Sequence, residues 1–282
     1  MLYRTGFEAS EGYSTNLDLD LAGQNGWLSE GSGGNGIITN FFGRGGRQAY
    51  IGYAPPNPGE SNLFLYQPVN QSLSSAHFSV TMAIADSSTT NYDDFYWGVY
   101  NRGVHQFFAL EFDNAALRIY YWLDDTNYRT WSGLTFTNGI AYPLTIDMDF
   151  TRNRWSAKFN GALMATNQPI TTVGASLNLG DIDASWGVYN PSTPGDNYMV
   201  FDDYTITGLV PAPQLSLVGM VSGATALRLY GQVDTTFAID ASTNLVTWAA
   251  LKTNITTGGS FDYIDNGAAA AGRRYYRGRW VP

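Results

Sequence analysis

Along most of the chain, short apolar runs of five to eight residues alternate with clusters of Gly, Asn, Asp and Pro, the pattern of successive strands joined by turns. The runs Phe78–Ala85, Phe95–Tyr100, Gln106–Phe112, Leu117–Trp122, Leu144–Phe150 and Trp155–Phe159 are the clearest. Phe78, Val80, Met82 and Ile84 fall on one face of the first run. In the fifth, Thr145, Asp147 and Asp149 alternate with Leu144, Ile146, Met148 and Phe150. Asn160-Gly161 joins two runs and predicts a type I′ hairpin turn. No long stretch has helical periodicity, so the expected fold class is all-β.

The segment Val210-Pro-Ala-Pro-Gln214 interrupts the pattern, because two prolines break strand pairing and favour an extended linker. Residues 1–209 are therefore expected to form one large antiparallel sandwich and 215–282 a small one, with 210–214 between. The tail holds the runs Leu215–Val221, Ala226–Tyr230, Phe237–Ala241, Thr247–Leu251, Phe261–Ile264 and Arg273–Trp280, a count that suits an immunoglobulin- or fibronectin-III-like sandwich. The pentapeptide Trp-Gly-Val-Tyr-Asn occurs at 97–101 and again at 186–190. Its flanks differ, so the expectation is two strands in opposed halves of the sandwich, each burying its Trp and ending in an Asn turn.

Composition narrows the classes of function. Among 282 residues only two are lysine, and 24 Asp and Glu oppose 15 Lys and Arg. Residues 1–211 carry a net charge of −11 and residues 212–282 a net charge of +2. An acidic large domain argues against nucleic acid, whose phosphates require a basic surface. The basic run Arg273, Arg274, Arg277 and Arg279 alternates with aromatic residues and reads as a strand with a solvated face. Absence of cysteine excludes disulfides and thiolate chemistry. No apolar run approaches the length of a membrane span, and Met1–Ser10 lacks the apolar core of a leader peptide. The Lys-poor, Asn/Thr/Gly-rich composition favours an extracellular or cell-surface protein whose leader is absent from this chain.

Three segments carry a family resemblance. Phe7-Glu-Ala-Ser-Glu-Gly-Tyr13 with Gly23-Gln-Asn-Gly-Trp27 resembles the opening of concanavalin A-like lectin/glucanase jelly rolls. Leu144–Phe150 followed by Trp155–Gly161 is similar to a strand pair of their laminin-G-like members, and Asp196–Ile206 to their last strand. The resemblance implies a jelly roll over about residues 5–208. The tail, through Ala241–Trp248, Gly258–Tyr263 and Arg273–Arg277, is similar to small modules that end many bacterial secreted and surface proteins. It would act as a spacer, leaving the first domain to meet a ligand. Such folds host lectins, hydrolases and lyases alike, so the residues have to separate these functions.

Glycosidase relatives place three carboxylates on one strand face; here Glu111 and Asp113 share a face, but Ala115 stands where the third acid belongs. Glu111 and Asp113 are therefore weak catalytic candidates. The pairs Asp147/Asp149 and Asp181/Asp183 read as polar alternation on half-exposed strands. His77 and His105, the only histidines, lack an accompanying Ser elbow or a metal-ligand spacing. The resemblance also implies one structural calcium ion between the first and last strands, where Glu8 would approach Asp202 or Asp203.

Sugars are gripped by aromatic rings against the apolar face of a pyranose, with polar groups reading the hydroxyls. Tyr120–Trp131 supplies both, and the predicted ligand residues are Tyr120, Trp122, Asp124, Asp125, Asn127, Arg129 and Trp131. Asn91–Trp97 is a second aromatic cluster. The leading expectation is a non-catalytic protein that binds a polysaccharide or cell-surface glycan in adhesion. The alternatives are a self-associating subunit of a surface layer or filament, and a polysaccharide hydrolase or lyase with an altered motif.

Overall fold

A computed structural model describes residues 2–14, 16–71, 73–125, 128–233, 235–268 and 273–281. The chain divides into two compact units, residues 1–208 and 209–282. The first is a two-sheet antiparallel jelly-roll sandwich. One sheet runs, in spatial order, β13 (Ala162–Gln168), β12 (Arg154–Phe159), β11 (Tyr142–Asp149), β6 (Ser75–Ala85), β15 (Tyr198–Leu209), β4 (Arg47–Gly52) and β3 (Asn35–Thr39), with β1 (Tyr3–Thr5) also pairing β15. The other runs β10 (Thr130–Thr135), β9 (Arg118–Leu123), β8 (Gln106–Asp113), β7 (Asp94–Tyr100), β14 (Asp181–Gly187), β5 (Asn62–Tyr66) and β2 (Leu28–Gly31). The six strands expected from apolar runs in this unit are all present, displaced by no more than three residues at any end.

Period-two alternation sends one face of each strand inward, where rings from the two sheets meet. Phe108 of β8 stacks flat on Trp155 of β12 with centroids 3.9 Å apart. Trp97 of β7 meets Phe201 of β15 edge to face at 5.4 Å. Each such ring contributes about 1.5–3 kcal/mol through burial. The polar ends of these rings are satisfied inside the core. Trp97 Nε1 points at Met82 Sδ, 3.2 Å away, Trp155 Nε1 donates to the carbonyl of Pro169, and the Tyr204 hydroxyl donates across the sandwich to the carbonyl of Ile182 at 2.9 Å. At the β12–β13 hairpin, Asn160 and Gly161 both have positive φ (50° and 78°), as a type I′ turn requires.

The two Trp-Gly-Val-Tyr-Asn copies do not lie in opposed halves. They occupy β7 and β14, which pair antiparallel within one sheet, Trp97 opposite Ala184 and Trp186 opposite Phe95. Both tryptophans are fully buried. Their glycines open on the outer face, each beneath a tyrosine: a Cβ at Gly98 would lie 2.7 Å from Tyr100 Cε2, and one at Gly187 2.9 Å from Tyr96 Cε2. The asparagines do close turns. Asn101 Oδ1 accepts from the amides of Gly103 and His105, and Asn190 Oδ1 from that of Ser192.

The second unit is a small sandwich of two three-stranded sheets, β16 (Gln214–Val221)–β17 (Ala224–Tyr230)–β20 (Ser260–Asp265) and β19 (Ala249–Ile255)–β18 (Thr236–Ser242)–β21 (Tyr275–Trp280). Leu227, Leu229, Phe237, Ile239 and Phe261 form the shared core. The basic run is not a simple solvated face. Arg277 and Arg279 both reach the buried carboxylate of Asp240 at 3.0 Å, and Arg274 pairs with buried Asp265 at 2.5 Å.

Candidate functional site

The polar face of the seven-stranded sheet gathers most of the predicted ligand residues. Lateral pairing places Phe64, Ser185, Tyr96, Glu111, Tyr120 and Trp131 in one row across β5, β14, β7, β8, β9 and β10. Trp122 lies on the same face as Tyr120, opposite Ala109 of β8. Tyr121 turns inward to pack edge-on against Trp155 at 5.8 Å.

Glu111 anchors this row, and its carboxylate is buried. One oxygen accepts from Trp122 Nε1 and the other from Arg129, whose guanidinium also reaches Asp113 at 3.0 Å. The same guanidinium lies over the Tyr120 ring, 4.0 Å from its centroid. With both oxygens of Glu111 engaged, the arrangement fixes two aromatic rings and an arginine in position. Trp131 remains 54% exposed, with Arg118 5.3 Å over its ring.

Other predicted ligand residues fare differently. Asp124 is structural: its buried carboxylate accepts from Thr171 Oγ1 at 2.5 Å and from the Thr172 amide and hydroxyl, and lies 3.2 Å from His105 Nε2. Burial pushes this carboxyl up, but the Thr171 and Thr172 hydrogen bonds outweigh it and hold the group below the usual carboxylate range. The anchor sets the loop that carries Arg129. Asp125 is exposed at its turn, and Asn127 lies outside the described residues.

Three acids of this face take roles that their sequence pattern did not indicate. Asp94 of β7 accepts from the Asn114 amide at 3.0 Å. Burial, with the nearby charges of Asp113 and Glu111, pushes its carboxyl up to about 7. Asp183 departs from half-exposed alternation, being 5% exposed, whereas Asp181 is half-buried. Burial first, then the Asp181 carboxyl and Glu30, drives Asp183 well above the ordinary value. Alternation identified these as polar positions, but only the pairing of β14 with β7 and β5 places them beside Tyr100 and Tyr66.

Two depressions mark the face. One, about 270 Å³, is walled by Phe64, Tyr96, Tyr100 and Trp122 over Gly98 and Ala109. The other, about 480 Å³, brings Asp94, Asp113 and Arg129 together with Tyr189 and Asn190. Ala115, which stands where a third acid was sought, lines the second depression beyond the end of β8.

The expected calcium residues lie near one another, and each accepts hydrogen bonds from the protein. β1 pairs Thr5 with Tyr204, and Glu8 follows just beyond it. Glu8 Oε1 accepts from the Arg47 amide, Asp202 from Gln48 Nε2 and the Asp203 amide, and Asp203 from Thr81. Among the described residues no three His, Cys, Asp or Glu side chains converge as a metal-ligand group.

No protein-family model matches the chain, and no curated protein matches it. Among solved structures, the fold is similar to a sialidase (7% identity, 65% of this chain and 17% of that chain, TM-score 0.49). It is also similar to cellulose induced protein Cip1 (12%, 64% and 90%, 0.49) and to a Lotus tetragonolobus seed lectin (14%, 68% and 97%, 0.47). The chain thus spans about a sixth of the sialidase. At such identities the likeness is one of strand arrangement alone.

Proposed function

We propose that the large unit is a non-catalytic glycan-binding module that reads its ligand on the outer face of the seven-stranded sheet, in an extracellular or cell-surface setting. The observation that carries this reading is the fixed row Tyr96–Glu111–Tyr120–Trp131, with Trp122 beside it. Rings on one face offer apolar surfaces to pyranose C–H groups. Arg129 holds the Tyr120 ring and Glu111 the Trp122 ring, while Arg129 and Asp113 supply polar edges to hydroxyls. The acidic charge of the unit and the absence of a basic stripe oppose nucleic acid as ligand. A glycan array, followed by calorimetry on the hits with Trp122→Ala and Trp131→Ala, tests it. Binding that weakens in both variants supports the assignment, and failure to bind any polysaccharide removes it.

One observation favours a second reading, polysaccharide hydrolysis. Asp94, whose carboxyl burial pushes up to about 7, shares a depression with Asp113, and a carboxyl raised into that range suits a general acid role. Release of reducing ends that disappears in Asp94→Asn would establish catalysis. No release from any bound glycan would leave binding alone.

A further inference from the structure

The hollow beside Trp122 has a chemistry distinct from the row through Glu111. Its floor is made where Gly98 and Ala109 leave space between rings, and Ser185 lines it. Ser185 Oγ and Asp183 Oδ1 are buried without a hydrogen-bond partner, Ser185 being 4% exposed. Asp183 pairs in register with Gly98, one of the residues of that floor. Buried polar atoms are ordinarily paired, and two unmet acceptors side by side call for a donor from outside.

The charge around the hollow specifies that donor. Asp181 is the register partner of Tyr100, and Glu30 that of Phe64, so both acidic residues sit next to wall residues on neighbouring strands. The charges of Asp181, Asp183 and Glu30 all act on the phenols of Tyr66 and Tyr100, which places the three acids in one neighbourhood. Among the described residues no Arg, Lys or His forms an ion pair with any of the three. Arg129, also on this face, is engaged by Glu111 and Asp113. An anionic sugar would meet three acidic side chains with no basic partner here. A cation would favour the ionised form of those carboxyls and meet aromatic faces around it, both attractive to positive charge.

We propose that this hollow receives a sugar carrying a free amine, its ammonium group held between the Tyr96, Tyr100 and Trp122 rings and the Asp181–Asp183–Glu30 carboxyls, with Ser185 Oγ accepting a further hydrogen bond. The volume of about 270 Å³ lies just below the roughly 300–1,000 Å³ of drug-sized pockets, so it takes one ring of a chain. The inference rests on the glycan-binding reading and names the class of glycan: amine-bearing, as in de-acetylated amino sugars, and not uronate or sulfate.

The test compares short glucosamine oligomers with their fully N-acetylated counterparts by calorimetry on the full chain at physiological salt. The amine form is expected to bind about tenfold or more tightly, the scale of one charge-assisted hydrogen bond. Asp183→Asn and Asp181→Asn should abolish that preference, while Asp20→Asn, an exposed carboxylate elsewhere, should leave it intact. Melting curves confirm that each variant is folded, and Trp122→Ala is the independent second variant, expected to weaken both oligomers. Equal affinity for the two oligomers, or an equal loss in Asp20→Asn, overturns the inference while glycan binding stands. Binding of other neutral glycans but neither oligomer does the same. Failure to bind any glycan removes both readings.

Discussion

The guanidinium of Arg129 lies 4.0 Å over the ring of Tyr120 while it bridges the carboxylates of Glu111 and Asp113. One side chain from a loop thus fixes an aromatic plane and neutralises two acids that the sheet itself brings onto one face. The local order of the proposed binding face depends on it.

Removal of that arginine should cost stability. Among the described residues, Arg129→Ala leaves the buried Glu111 carboxylate with Trp122 as its one side-chain partner. Breaking a buried pair costs about 3–5 kcal/mol, but Arg129 is more than a third exposed and part of the interaction is screened, so about 1–3 kcal/mol is expected in urea unfolding. Arg129→Ala combined with Glu111→Gln should recover part of the loss. A single-variant effect below about 0.3 kcal/mol would show that the bridge is ornamental.

Asp94 and the Asp181–Asp183 pair predict an unusual pH dependence. Their folded-state pKa values are raised above the unfolded value of 3.8, Asp94 to about 7. Through the interval from about 4 to about 7 the native state therefore holds more protons than the unfolded one, and stability falls as pH rises. The chain should be more resistant to urea at pH 5 than at pH 8. Asp94→Asn should flatten that slope and raise stability at pH 8, and an unchanged slope would contradict the assignment.

The glycines of the repeated pentapeptide give a structural test of the hollow. A methyl group at Gly98 forces Tyr100 to shift from its place, because the ring edge lies 2.7 Å from the new Cβ. The Tyr100 hydroxyl also loses its 3.0 Å bond to Gln106 Oε1 if the ring swings away. Gly98→Ala should lower glycan affinity severalfold with a stability cost of about 1–3 kcal/mol, the usual cost of overpacking. Wild-type affinity in this variant would show that the Tyr100 wall takes no part.

Core packing predicts the largest stability loss. Phe108→Ala removes the ring stacked on Trp155 and should cost about 3–5 kcal/mol in chemical denaturation. Trp131→Ala, on the exposed end of the row, should change stability by less than about 0.5 kcal/mol. The contrast separates rings that build the sandwich from rings available to a ligand.

The alternation of Phe78, Val80, Met82 and Ile84, the Asn160-Gly161 turn and the short apolar runs determined an all-β chain, because period two and turn chemistry are local properties. Alternation likewise separated Tyr120 and Trp122 from Tyr121, since a strand presents adjacent residues to opposite faces. Which strands would be neighbours was decided by tertiary structure. The two Trp-Gly-Val-Tyr-Asn copies look alike from the sequence wherever they sit, and only ladder pairing puts β7 beside β14 and turns their glycines into the gaps beneath Tyr100 and Tyr96. The same pairing brings Asp94 opposite Gly187 and sets Asp183 against Gly98, residues 85 or more positions apart in the chain. Burial and like charge then shift these carboxyls, an effect that no local pattern encodes because desolvation depends on what the rest of the chain places around a group.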